Sequence, residues 1–212
     1  MRLLAAIYLA GTVAVLTVGC GSGGRSGAVT ATTVSPATTT RAAAAAAATT
    51  SNASALQAEA NATAAGDIPD NQVFLTFHAG PASWSMKYPE GWAQRGSGGR
   101  VTFRDKNNVI RAVVSAGGPW TRTSVRADLR VLRGAQVQGQ PRAISLSGRP
   151  AFKVVYRTVS ASNPVTGKRL TLTVDRYYVW THGRHAVLDL GSPLGVDNVD
   201  AYRLISESFR WS

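Results

Sequence analysis

No aromatic side chain occurs between Gly21 and Gly66, and all five Trp lie beyond residue 66. A packed core needs large apolar side chains, so this chain can build one only within residues 67–212. The preceding stretch points the same way. Of the 46 residues in 21–66, 36 are Ala, Thr, Ser or Gly, and only Arg25, Arg41 and Glu59 are charged. Such a composition cannot bury enough surface to offset the entropy lost on ordering, which predicts a disordered tether over 21–66. Ala42–Ala48 has the highest helix propensity available, yet seven alanines without a partner are marginal in water.

The head of the chain reads as an address. Met1-Arg2 is followed by sixteen uncharged residues, Leu3 to Val18. As a helix these reach about 24 Å, short of the roughly 30 Å hydrocarbon core, so a signal peptide fits better than a permanent span. Cys20 is the only Cys, and Gly21-Ser22-Gly23-Gly24 follow it. Thr17-Val18-Gly19-Cys20 resembles a lipobox, with Thr17 standing where Leu is usual. Residues 1–20 are therefore expected to be a signal peptide with a lipobox-like end, cut before Cys20 so that the mature chain begins at an acylated Cys20, a palmitate-type anchor. That places the protein on the extracytoplasmic face of a bacterial cell membrane. A lone Cys also excludes an internal disulfide and any zinc site built on two cysteines.

Beyond residue 66, period-two alternation predicts strands. Trp84, Met86 and Tyr88 face one way, and Val101 and Phe103 alternate with Arg100, Thr102 and Arg104. Val109–Val114 is more apolar, as expected of a central strand. Ile144 and Leu146 precede Gly148-Arg149-Pro150. Then 151–159, 170–180 and 186–190 read as an antiparallel meander. A helix is expected from a Ser124 cap, with Val125, Leu129 and Leu132 on its apolar stripe and Gly134 after its end. A second runs from an Asp197 cap to Ser208, its stripe Val199, Tyr202, Ile205 and Phe209. Hairpin strands with few helices predict an α+β domain, one antiparallel sheet with helices on its faces.

The chain carries 23 Lys and Arg against 11 Asp and Glu, a formal charge of +12. Arg126, Arg130 and Arg133 fall at i, i+4 and i+7 of the first helix, and Arg100 and Arg104 share one face of a strand. Arg-rich faces are commonly just solvated surface reflecting composition. The functional reading is that such patches attract anionic headgroups or wall polymers, whereas nucleic acid is not expected outside the cell. His182 and His185 are a candidate metal pair, with Asp189 or Asp175 as a third ligand. A solvated hairpin turn is the better account of them, since a tight turn exposes two such residues and Arg184 between them repels a cation. No G-x-S-x-G occurs, and Gly167-Lys168 lacks the first Gly and the Ser/Thr of a phosphate loop. No cofactor is called for.

Tyr88-Pro89-Glu90-Gly91-Trp92, with Val101-Thr102-Phe103-Arg104-Asp105 after it, resembles the start of a PsbP-type domain. Asp175-Arg176-Tyr177-Tyr178, the short hairpin at Gly183 and the closing Ser208-Phe209-Arg210 resemble the later parts of that family, across roughly 70–212. The resemblance implies an α-β-α sandwich, a central antiparallel sheet with helices on both faces. It also implies binding of other molecules without catalysis, as in bacterial envelope lipoproteins of this kind. A photosynthetic role and a calcium site do not carry over, because the residues for them have no match here. The expected function is a membrane-anchored, non-enzymatic adaptor for a protein or an anionic envelope component. The alternative is a carrier or enzyme with a pocket between sheet and helix for a small or lipidic ligand.

Overall fold

The computed structural model describes residues 55, 57–58, 61–62 and 65–212 except 106 and 164–166. The expected signal peptide, Cys20 and nearly all of the predicted tether lie outside the described residues. Residues 55, 57–58, 61–62 and 65 are helical.

Seven strands form an antiparallel sheet in the order β3 (Ala93–Ser97), β4 (Arg100–Arg104), β5 (Val109–Ala116), β9 (Arg184–Pro193), β8 (Thr171–Thr181), β7 (Arg149–Val159), β6 (Gln136–Leu146). The meander read at the end of the sequence is β7-β8-β9, and β9 then pairs with β5 to join it to the β3-β4-β5 meander. A second sheet has the order β1 (Phe74–His78), β2 (Trp84–Pro89), β10 (Arg210–Trp211). Among the described residues there are two continuous α-helices, α1 (Arg122–Arg130) and α2 (Val199–Glu207). The expectation of a single sheet between helix layers is thus corrected. Two antiparallel sheets dominate, because Phe74–His78 and Arg210–Trp211 pair with β2 instead of leaving it in the larger sheet.

Alternation divides the seven-stranded sheet into two faces. On one, Val101, Phe103, Ile110, Ala112, Tyr177, Val179, Leu188 and Leu190 are buried, beneath Trp84, Met86, Tyr202, Ile205 and Phe209. Tyr88 stacks on Phe103 at 4.1 Å, and Trp84 stacks on Phe209 at 5.6 Å between ring centroids. The other face carries Arg111, Asp189, Arg176 and Tyr178, with Val125 and Leu129 of α1 packed on Tyr178 and Val154.

Both helices begin differently from the sequence expectation. Thr121, not Ser124, caps α1: its hydroxyl accepts from the Ser124 N–H at 3.1 Å, while the Thr121 N–H donates to Ser124 Oγ at 2.8 Å. This reciprocal box satisfies two orphan donors and starts the helix three residues earlier. Leu132 and Arg133 fall past its end, where Gly134 takes a φ of 69°. At α2 the cap position is Asn198, and Asp197 Oδ1 accepts only from the Val199 N–H, at 3.2 Å. Val199, expected on the buried stripe, is 69% exposed, while the adjoining Asn198 is buried in its place.

The Asn198 side chain turns inward instead. Its Oδ1 accepts from the Ile68 N–H at 2.8 Å, and its Nδ2 donates to the Gly66 carbonyl at 3.1 Å and to Asn108 Oδ1 at 3.2 Å. Asn108 Nδ2 also donates to the Gly66 carbonyl, at 2.7 Å. Two buried amides thereby satisfy each other and pin the start of the domain to the sheet.

Candidate functional site

Burying an arginine costs free energy unless its charge is matched. Arg176, on β8, is 5% exposed and sits between two carboxylates. Its Nε donates to Asp189 Oδ1 at 2.7 Å, and its Nη1 donates to Asp128 Oδ2 on α1 at 2.9 Å. Tyr178 donates its hydroxyl to the same Asp128 oxygen at 2.8 Å. The guanidinium also lies 5.7 Å from the ring centres of Tyr156 and Tyr178. Burial pulls the Arg176 pKa down, but the charge and hydrogen bonds of Asp189 outweigh it and raise the pKa above the ordinary value. Burial, with the Asp189 charge second, pushes Tyr156 up to about 12. Arg176 therefore stays charged and both tyrosines stay neutral near pH 7. The cluster fastens α1 to the sheet.

Asp189 serves a second guanidinium. Arg111 of β5 donates from Nε to Asp189 Oδ2 at 3.0 Å, and its Nη2 reaches the same oxygen. The Arg111 side chain is 41% exposed against 5% for Asp189. One buried carboxylate is thus shared by two cations, and the outer one is held rigidly at the surface with donors left over.

Strand register sets Arg111 in a row with other basic residues. Arg95 of β3 pairs with Thr102 of β4, and Thr102 pairs with Arg111. One row further along the same face, Arg104 pairs with Val109. In the opposite direction Arg100 pairs with Val113. Among the described residues Arg95, Arg100 and Arg104 make no ion pair, and all three are exposed. Arg95, Arg104 and Arg111 line a trough of about 1520 Å³ between this sheet face, the end of α1 and the β7–β8 connection. Of its two carboxylates, Asp189 is engaged as described, and Asp105 accepts from the backbone N–H groups of Asn107 and Asn108.

The arginines singled out from helical spacing fall in two places. Arg126 and Arg130 are exposed on α1, where Arg126 donates to Gln140 Oε1 at 3.0 Å. Arg133 lies beyond the helix and lines the trough. Sequence reasoning found Arg100 and Arg104 but missed Arg95, Arg111 and the Asp189–Arg176 pair behind it. The available signal was a lone charge inside an apolar strand, Arg111 between Ile110 and Ala112.

The histidine pair is not brought together with its proposed carboxylates. His182 sits in the β8–β9 turn, whereas His185 stacks on Trp120 at 4.6 Å. Asp175 is bonded to Lys153 at 2.6 Å, and Asp189 to its two arginines. Among the described residues no group of three or more His, Cys, Asp or Glu is placed to hold a metal ion. A second hollow, about 1350 Å³, lies between β1, β2 and α2 and has the opposite character. It is lined by Asp67, Asp70, Asp197, Asp200 and Glu207 against Lys87, Arg203 and Arg210.

No model of a known protein family matches the chain, and no curated protein matches it. Several solved structures are similar. A PsbP from the cyanobacterium Synechocystis is 16% identical, over 69% of this chain and 98% of that one, with a TM-score of 0.47. The Ran-binding protein Mog1p of Saccharomyces cerevisiae is 10% identical, over 66% and 96%, with a TM-score of 0.44. LpqN of Mycobacterium tuberculosis, involved in cell envelope biogenesis, is 21% identical, over 66% and 91%, with a TM-score of 0.38. At such identities no residue role, partner or activity passes from these proteins to this chain.

Proposed function

We propose that this protein is a lipid-anchored lipoprotein of the bacterial envelope whose folded domain binds an anionic envelope component without catalysing a reaction. The observation that carries this reading is the convergence of Arg95, Arg100, Arg104 and Arg111 on one sheet face, with the nearby carboxylates already engaged. Arg95, Arg100 and Arg104, which make no ion pair among the described residues, and the spare donors of Arg111 are poised to exchange water for phosphate or carboxylate oxygens. The lipobox-like end at Cys20 supports the anchor, and the Ala- and Thr-rich stretch supports a spacer between membrane and domain.

The test uses residues 20–212 with Cys20→Ser, so that no acyl chain competes, titrated onto phosphatidylglycerol vesicles and onto anionic wall polymer. Exposed charges beyond about 8 Å are screened at 0.15 M salt, so binding weakens as salt is added. Replacing Arg95, Arg104 and Arg111 together by Gln removes about 1 kcal/mol per residue near a charged surface. Binding that ignores both salt and the triple substitution contradicts the proposal. Anchoring is read separately, by intact-protein mass of the membrane form: an acylated chain beginning at Cys20 is expected, and an unmodified N-terminus elsewhere would falsify it.

A further inference from the structure

The trough is not uniformly polar. Besides Arg95, Arg104, Arg111 and Arg133 it is lined by Val131, Val159 and Leu170. These three large apolar side chains are 73%, 59% and 39% exposed. Exposed large apolar groups scattered singly are ordinary, but here three share one hollow with Arg95 and Arg104, which make no ion pair among the described residues. Within the sheet, β3, β4 and β5 contribute Arg95, Arg104 and Arg111, whereas β8 and β7 contribute Val174, Leu172 and Tyr156 with Thr158; Arg133 and Lys168 come from the connections that flank the sheet. From β5 to β7 is three strand spacings, about 14 Å. Gly191 of β9 lies between the two ends, and an added Cβ there would stand 3.0 Å from Val109 Cγ1 and 3.2 Å from Val174 Cγ2. A side chain there would collide with Val109 and Val174, both of which line the trough.

We infer that the trough holds one amphipathic anion, a single-chain lipid whose phosphate or carboxylate head lies on Arg111 and Arg104 and whose acyl chain lies along Val131, Val159 and Leu170. The inference rests on the anion-binding reading above and narrows it from a surface to a single molecule. Charge complementarity selects the head. Asp189, fixed by buried Arg176, orients Arg111 before any ligand arrives, so little side-chain entropy is lost on binding. The apolar walls select a chain over a bare anion.

Three probes separate the contributions in residues 20–212 carrying Cys20→Ser: dodecyl phosphate below the concentration at which it forms micelles, inorganic phosphate, and neutral dodecyl maltoside. Calorimetry is expected to give one-to-one binding of dodecyl phosphate, about tenfold or more tighter than either of the other two. Arg104→Gln, which breaks no ion pair, and Val131→Glu, which puts a carboxylate among the exposed apolar walls, are each expected to weaken it about tenfold with an unchanged Tm. Arg203→Gln, in the other hollow, leaves it unaltered. Equal affinity for inorganic phosphate overturns the inference by removing the acyl chain's part, and equal affinity for dodecyl maltoside does so by removing the head's. Salt-sensitive vesicle binding without capture of the monomer also overturns it, while leaving the proposed function standing. Loss of vesicle binding together with monomer binding defeats both.

Discussion

The two faces of the seven-stranded sheet are made by the same strands and solve opposite problems. On the Leu188 face the buried core is apolar and covered by the second sheet and α2, with a part-exposed ion pair, Lys153–Asp175, on the same face. On the Asp189 face charges are buried next to charges, and cover by α1 gives way to an open trough. Adjacent residues of β9, Leu188 and Asp189, are 0% and 3% exposed yet are stabilised by different physics. Apolar burial is tolerant of direction and fixes the fold. Paired charges require particular partners at particular distances, and where the pairing runs out at Arg104 and Arg95 the surplus charge is free to meet a ligand.

The largest expected effect sits on the apolar face. Phe103→Ala empties a fully buried site stacked on Tyr88 and should cost about 3–5 kcal/mol, measured by denaturant unfolding. Because the trough is on the other side of the sheet, the folded fraction should bind anionic probes as before. A folded variant with lost binding would show that the faces are not independent.

Next comes the charge cluster. Asp189→Ala leaves Arg176 buried with Asp128 alone and should cost about 3 kcal/mol or more. Replacing Arg176 by Met and Asp189 by Leu together should cost less than Asp189→Ala, since no uncompensated buried charge remains there. A double variant less stable than the single would mean that the ion pair itself, rather than its desolvation, dominates. Asn198→Ala should be milder, about 1–3 kcal/mol, from leaving the Ile68 N–H and the Asn108 amide short of partners.

Titration sharpens the contrast further. Tyr156 has its pKa raised from 10.0 to about 12, so the folded state holds its proton more tightly than the unfolded one. The stability this contributes is complete below pH 10 and is lost as pH rises through the folded value. Unfolding free energy should therefore decline between pH 10 and about 12, and Tyr156→Phe should make that decline shallower. An unchanged slope would place the alkaline sensitivity elsewhere.

Much of this division was written in the sequence, though unevenly. The strands with clean alternation, Trp84–Tyr88 and Val101–Phe103, and the β7-β8-β9 meander stand where the pattern put them. Phe74–His78 and Ala93–Ser97 escaped notice for different reasons. In the first, Phe74 and Leu75 are adjacent apolar residues, which blurs the period; the second has no large apolar residue and is exposed along its length. The helix caps were misplaced because Thr121 and Ser124 are both good capping residues, and only the reciprocal bond decides which one caps. Site residues were harder. Arg95, Arg104 and Arg111 are 16 positions apart in sequence and meet only through the register of three strands, which alternation by itself does not specify.

The smallest effect on stability should accompany the largest effect on binding. Gln at Arg95 and Arg104 should change stability by less than about 0.5 kcal/mol, because neither side chain is buried or paired. The most direct test is therefore a map of which face responds to a ligand. Backbone amide signals of residues 20–212 with Cys20→Ser, followed by NMR during titration with dodecyl phosphate, should shift at Arg95, Thr102, Arg104, Val109 and Arg111 and at Val131 and Leu170. Those of Phe77, Met86 and Tyr202 should stay in place. Shifts confined to β1, β2 and α2, or spread evenly over both faces, would contradict the assignment of binding to the arginine face.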